Sequence, residues 1–461
     1  MQVVLALLLF TAGLSSGSAF IAPQSRGFSR QAALRVNALP DSQRVVITGL
    51  GPVSGVGLSQ DAFFAGLLEG KSSLGLVTRF DPEQYTCQIA SQVPGSFVGA
   101  DYFNNKKSAK SNDRYTHFGV AAARLALDDA KLEVGVGAGV HPERIGVIVG
   151  SAFGGMETYE AQTLKCFQQG PKKVSPFTIP ALLGNTASGV IGIEFGCKGP
   201  NYGVVSACAS ASHALGESLN AIRRGDADAM VAGGCEAAIT PLSFAGFCSM
   251  KAMTTKHNDD PTQGSRPFDA DRCGFVMGEG AGVVVLESLE HALKRGADIY
   301  CEMVGYGASC DAHHITTPAP EGEGLGRAMV SALKSAGVSD LSNVGYVNAH
   351  GTSTPYNDKF ETMAIKGVFG SHASQLLVSS IKGSTGHTLG AAGGLEAIAC
   401  AKAIQTGSVP PTINYATPDP DCDLNYVPNV ASHGNDIDVA LSTNLGFGGH
   451  NAAVAFKKLV K

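Results

Sequence analysis

Tryptophan is missing from the 461 residues, and charge is sparse: Asp, Glu, Lys and Arg make up 16%, against 44% hydrophobic residues. Disordered chains combine low hydrophobicity with high charge, so that class is excluded and the chain is expected to fold around sizeable cores. Beyond the first forty residues there is no basic tract of the kind that grips nucleic acid. Past the leader, no uncharged apolar run is long enough for a membrane-spanning helix. The eleven cysteines lie singly from Cys87 to Cys422, without a C-x-x-C pair. That pattern speaks against a zinc site or disulfide scaffold and for free thiols in a reducing compartment.

What is abundant is glycine, 58 residues with no three-residue period, which excludes collagen and points to many tight turns. The length allows about three domains or two large lobes. The formal charge is −5. The first forty residues hold Arg26, Arg30 and Arg35 and no acid.

Those forty residues read as an address. Val3–Leu14 is a twelve-residue apolar run suited to a signal peptide over residues 1–19. Residues 20–40 are arginine- and serine-bearing and free of acids, the composition of a transit peptide. The tandem, with Phe20 opening its second part, resembles the two-part leaders of secondary plastids, which implies delivery to a plastid stroma.

Thereafter strands alternate with helices. Apolar, β-branched runs at 44–51, 145–150, 227–234 and 282–287 read as buried strands, and 116–131 and 289–296 as helices. The pattern restarts with a strand at 299–306, a helix at 324–337, strands at 344–350 and 375–382, a helix at 390–406, and strands at 438–444 and 451–458. The expected class is α/β with largely parallel sheets covered on both faces. Two similar halves, 41–290 and 291–461, are expected from the repeated order, although no residue-level repeat is visible.

Cys208 stands out among the cysteines. A short β-branched run precedes it, small residues surround it, and an amphipathic helix follows, the strand–turn–helix layout that exposes a nucleophile. The partial positive charge of a helix start favours thiolate there. Three further glycine-framed loops follow strands: His350-Gly351-Thr352-Ser353-Thr354-Pro355, Lys382-Gly383-Ser384-Thr385-Gly386-His387, and Asn444-Leu445-Gly446-Phe447-Gly448-Gly449-His450-Asn451. The C-terminal ends of strands are where α/β sheets place their chemistry.

With SRPFDADRCGFVMGEGAG at 265–282, these motifs make the chain, from about Arg44 to Lys458, resemble the β-ketoacyl-acyl-carrier-protein synthases, nearest the type II pattern of fatty-acid elongation. The resemblance implies the thiolase-like fold: two duplicated βαβ lobes with mixed five-stranded sheets, layered α-β-α-β-α. It implies Cys208 as the acyl-accepting nucleophile, with His350 and His387 facing the malonyl thioester. It implies Lys382 as electrostatic support for His387, Glu361 as the acid paired with that lysine, and Glu396 as a buried acid nearby. Thr352 and Thr354 are implied to bind the pantetheine arm. Phe447 is implied as an aromatic gate and Phe153 as a lining residue of the acyl tunnel, bulkier than the aliphatic residue expected there. The backbone N–H groups of Cys208 and Phe447 are implied as the oxyanion hole. The implied partner is acyl-carrier protein, docked through Lys106, Lys107 and Lys110; no cofactor or metal of the enzyme's own is expected, and a homodimer is.

Rivals of the same fold read less well. A thiolase needs a second cysteine where Phe447 stands, and the type III synthase needs asparagine where His387 stands. A polyketide ketosynthase shares the Cys-His-His set. A chain-length factor lacks the cysteine.

Overall fold

The computed structural model describes residues 39–136 and 139–460. The predicted signal and transit peptides fall almost wholly outside them. No helix among the described residues is long and apolar enough to cross a membrane. All eleven cysteines are free.

Among the described residues twelve strands are formed: β1 (Val45–Val53), β2 (Leu74–Leu76), β3 (Ile89–Ser91), β4 (Ile145–Gly150), β5 (Asn201–Val204), β6 (Ala229–Glu236), β7 (Gly280–Ser288), β8 (Cys301–Cys310), β9 (Val344–Asn348), β10 (Leu377–Ser379), β11 (Val439–Gly446) and β12 (His450–Lys457). β2 and β3 make a small hairpin. The other ten lie in the order β10-β9-β11-β12-β8-β1-β7-β6-β4-β5.

That order is a duplication. From the outer edge inward, one half runs β5-β4-β6-β7-β1 and the other β10-β9-β11-β12-β8. In each half the outer three strands are parallel and the inner two pairings are antiparallel. Two short antiparallel pairings, Val46↔Glu302 and Ile47↔Cys301, join the halves, so the two five-stranded sheets expected from the sequence are continuous at one seam.

Helices fill the layers between and outside. Ser210–Arg223 and Ala392–Thr406 share one core with both halves: Leu215, Leu219 and Ile398 pack among Ile148, Met230, Tyr346 and Phe456. Arg114–Ala130 covers the outside of the first half and Glu323–Ser335 the outside of the second. This is the five-layer α-β-α-β-α arrangement. β1 explains why its sequence is a continuous apolar run: all nine residues are buried, as befits a strand covered on both faces. A Cβ on Gly51 would lie 1.9 Å from the Ala122 carbonyl oxygen, so only glycine lets the outer helix come so near.

Candidate active site

β5 runs into a tight turn, Ser206–Ala209, and then the helix Ser210–Arg223. Ala207 sits at φ 50°, a left-handed conformation that costs of order 1–3 kcal/mol in a non-glycine residue. The strained turn places Cys208 at the top of the helix. The β11–β12 hairpin closes over it: a Cβ on Gly446 would lie 2.5 Å from the Ser206 carbonyl oxygen. The backbone amides of Phe447 and Cys208 favour the thiolate. Even so, burial pushes the thiol up to about 12, outweighing the pull of Lys382 and the two amides. Burial thus opposes the thiolate that the helix start favours.

His387 Nε2 lies 3.0 Å from Cys208 Sγ. The His350 ring stands edge-on to that of His387, centroids 5.2 Å apart. Burial, reinforced by the charge of Lys382, holds both imidazoles well below the ordinary histidine range, so both are neutral. For His350 the neighbours settle which nitrogen bears the proton. Its Nδ1 faces two donors, Lys382 Nζ at 3.5 Å and Asn444 Nδ2 at 3.2 Å. Asn444 is itself oriented, giving Nδ2 to Glu396 at 2.7 Å and taking the Ser212 hydroxyl on its oxygen. Nδ1 must accept, so Nε2 carries the hydrogen. His387 Nδ1 is buried without a protein partner, so neither of its tautomers is locked.

One of the expected pairings is corrected. Lys382 forms a fully buried ion pair with Glu396, reaches His350 directly and acts on His387 through its charge alone. Glu361 does not pair with Lys382. Its carboxylate takes the backbone N–H groups of His350 at 2.7 Å and Gly351 at 2.8 Å and the Thr443 hydroxyl at 2.8 Å. It thus holds the chain where β9 turns out toward the site. Burial without a cation lifts it to about 7.

Ligand atoms of Cys208, His350 and His387 lie within 4.8 Å of one another, a spacing a metal ion can use. The surroundings oppose it. A ligating imidazole wants an acceptor on its second nitrogen, and His350 presents that nitrogen to an ammonium and an amide N–H instead. The set is built to donate hydrogen bonds from His350 Nε2.

The three groups sit in a cavity of about 420 Å³. Thr352 and Thr354 line it, their hydroxyls 2.9 Å apart, as do Phe447 and Phe153. Sequence reasoning missed Phe247 and Phe275, which link Phe153 and Phe447 to His387 in a chain of tilted and edge-on ring contacts. Lys106, Lys107 and Lys110 are exposed on the 103–112 segment, and none lines the cavity. Lys106 is paired with Asp101.

A cysteine on a strained turn, two neutral imidazoles and two convergent backbone amides are parts for making and attacking thioesters. The chain as a whole is similar to known proteins. The model of the beta-ketoacyl synthase N-terminal domain matches residues 42–292 and that of the C-terminal domain residues 300–416. A 3-oxoacyl-[acyl-carrier-protein] synthase 2 from Synechocystis sp. is 49% identical over 418 residues, 91% of this chain and 99% of the relative. One from Staphylococcus aureus is 48% identical over 420 residues, again 91% and 99%. Among solved structures, the ishigamide ketosynthase/chain length factor agrees with a TM-score of 0.84 at 36% identity, over 90% of this chain and 99% of that one. A type II polyketide acyl-carrier protein in complex with its ketosynthase agrees at 0.83 and 33%, with 90% and 99% covered. With both halves matched and nearly half of the residues shared with the synthase 2 relatives, the chain belongs to the beta-ketoacyl synthase family.

Proposed function

We propose that this enzyme elongates fatty acids by decarboxylative Claisen condensation, joining an acyl chain held on Cys208 to a malonyl group held on acyl-carrier protein. The observation that carries the reading is the 3.0 Å contact between Cys208 Sγ and His387 Nε2 inside a largely apolar cavity that His350 completes. Relatives that share about half of their residues over nearly their whole length are named for this carrier-protein chemistry.

The proposed steps use this geometry. As the Cys208 sulfur attacks the acyl thioester, its proton passes to His387 Nε2. The carrier's pantetheine sulfur leaves with the C–S electrons and takes that proton. Malonyl-carrier protein then enters, its arm lying along Thr352 and Thr354. Its carboxylate departs as carbon dioxide, and the C–C electrons flow into an enolate. The enolate oxygen receives N–H hydrogen bonds from His350 Nε2 and from His387 in its Nε2–H form. The enolate carbon attacks the acyl carbonyl, whose oxygen takes the N–H bonds of Cys208 and Phe447. Collapse returns the C–S electrons to Cys208, which takes up a proton and is ready again. No cofactor of the enzyme's own is needed, because the pantetheine arrives with the carrier.

Phe447 serves as the gate, flanked by Gly446 and Gly448, the latter at φ 89°. Lys106, Lys107 and Lys110 receive the acidic carrier protein. The enzyme works as a homodimer: β5 is an edge strand, and Leu164, Phe167, Ile179, Ile193 and Val205 are exposed apolar residues from the same stretch of chain. The leader directs it to a plastid stroma. The test is a chain-length series of acyl-carrier proteins condensed with malonyl-carrier protein and read by mass spectrometry. Two-carbon-extended 3-oxoacyl products on the carrier are expected, and their absence across the series would end this reading.

A further inference from the structure

Glu236 ends β6, is fully buried, and has no part in the steps above. Its partners are neutral donors. Oε2 takes the backbone N–H of Ala152 at 2.7 Å and that of Gly390 at 3.1 Å. Oε1 takes the Ser151 hydroxyl at 3.1 Å, and Ser151 in turn holds the Gly154 N–H at 2.9 Å. One carboxylate oxygen therefore ties together two loops that are far apart in sequence. The first carries Phe153 and lines the cavity beside Phe247. The second carries His387, and Leu389 between His387 and Gly390 is held at φ 49°. The loops also touch directly, since a Cβ on Gly390 would lie 2.4 Å from the Ala152 nitrogen. Movement at one is thus felt at the other, because a buried carboxylate that loses a donor is left unsatisfied.

We propose that Glu236 is a positioning residue coupling the two half-reactions: an acyl chain entering past Phe153 shifts the 151–154 loop, and the shared carboxylate passes that shift to Gly390 and so to His387, setting it for decarboxylation. The order of substrates then has a structural basis, with malonyl groups spared until an acyl chain is in place. This inference rests on the condensing activity proposed above.

The experiment uses the full-length enzyme with Glu236→Gln and, as a gentler change, Ser151→Ala. Acyl transfer to Cys208 is followed by intact mass. Carbon dioxide release from malonyl-carrier protein is followed in a single turnover, with Cys208 free and with Cys208 acylated. In the unaltered enzyme acylation should accelerate release. In Glu236→Gln that acceleration should shrink by roughly fivefold or more, and in Ser151→Ala in the same direction, while acyl transfer stays within about twofold. The same acceleration in both variants, no acceleration in the unaltered enzyme, or equal losses in both half-reactions would each overturn the coupling. Should the unaltered enzyme form no acyl-Cys208 at all, the proposed function fails instead.

Discussion

Replacing Lys382 by methionine should do two separable things. The side chains of Lys382 and Glu396 are 2% and 1% exposed, so removing the cation strands a carboxylate in the interior. Breaking a buried pair in this way costs about 3–5 kcal/mol, because the remaining charge keeps its desolvation penalty and loses its partner. Asn444 Nδ2, at 2.7 Å from Glu396, still offers one hydrogen bond, which places the expected loss near the lower figure. The second effect is chemical. His350 Nδ1 loses the donor at 3.5 Å and keeps only Asn444, so the Nε2–H form that faces the malonyl thioester is less firmly specified. Adding Glu396→Gln to Lys382→Met separates the two. Urea unfolding should show most of the stability restored in the double variant, while carbon dioxide release stays depressed. A loss below about 1 kcal/mol in the single variant, or a double variant no more stable than the single, would refute this account of the ion pair.

Three other outcomes are expected. Phe153→Ala should shift acyl preference toward longer chains, each extra buried methylene gaining up to about 0.8 kcal/mol, or about fourfold in kcat/KM; an unchanged length profile would remove Phe153 as a chain-length determinant. Changing Lys106, Lys107 and Lys110 together to glutamate should raise KM for acyl-carrier protein about tenfold at low salt, with little change in kcat, and an unchanged KM would remove the docking face. Near the seam between the halves, Glu287 would be raised by burial, but hydrogen bonds from Arg295, His291 and Thr48 hold it down at about 2, and Glu287 in turn raises His291. The carboxylate's contribution to stability is present above its unfolded value and lost as pH falls toward 2; the histidine's is present below its unfolded value and lost as pH rises through its raised folded one. The urea-midpoint difference between the unaltered protein and Glu287→Gln should therefore be larger near pH 5.5 than at pH 8.5; a difference that does not change with pH would remove the His291–Glu287 pair as its source.

The strands were legible because burial on both faces writes a continuous apolar run into the chain, as in β1, β4 and β7. The duplication was legible only as a repeated order of elements; the matching strand order has no residue-level trace, because equivalent positions need only be apolar. The helix Met156–Gln169 went unread, and none of its residues is buried. Pro241–Ser249 went unread because its apolar residues lie all round, and with it went Phe247 in the cavity wall.

Within the site, Cys208, His350 and His387 were legible because each follows a strand in a glycine-framed loop. Their supports were legible only in part. Lys382, Glu396 and Asn444 converge on His350 from separate segments, and no spacing in the chain records which carboxylate meets which ammonium. Glu236 carried no signal at all, a lone acid after a run of small residues, whose meaning comes from two distant loops closing upon it. The thiol's surroundings were legible only in part for a similar reason. A helix start is visible in sequence, whereas the burial that outweighs it is not.

The central claim is that Cys208 carries the growing chain. The most direct measurement is to incubate the enzyme with acyl-carrier protein, digest it, and locate the acyl group by mass spectrometry before and after adding malonyl-carrier protein. One acyl group on the Cys208 peptide is expected, discharged on the addition with one carbon dioxide released per thioester, and absent from Cys208→Ala. An acyl group on any other cysteine, or condensation at an undiminished rate by Cys208→Ala, would contradict it.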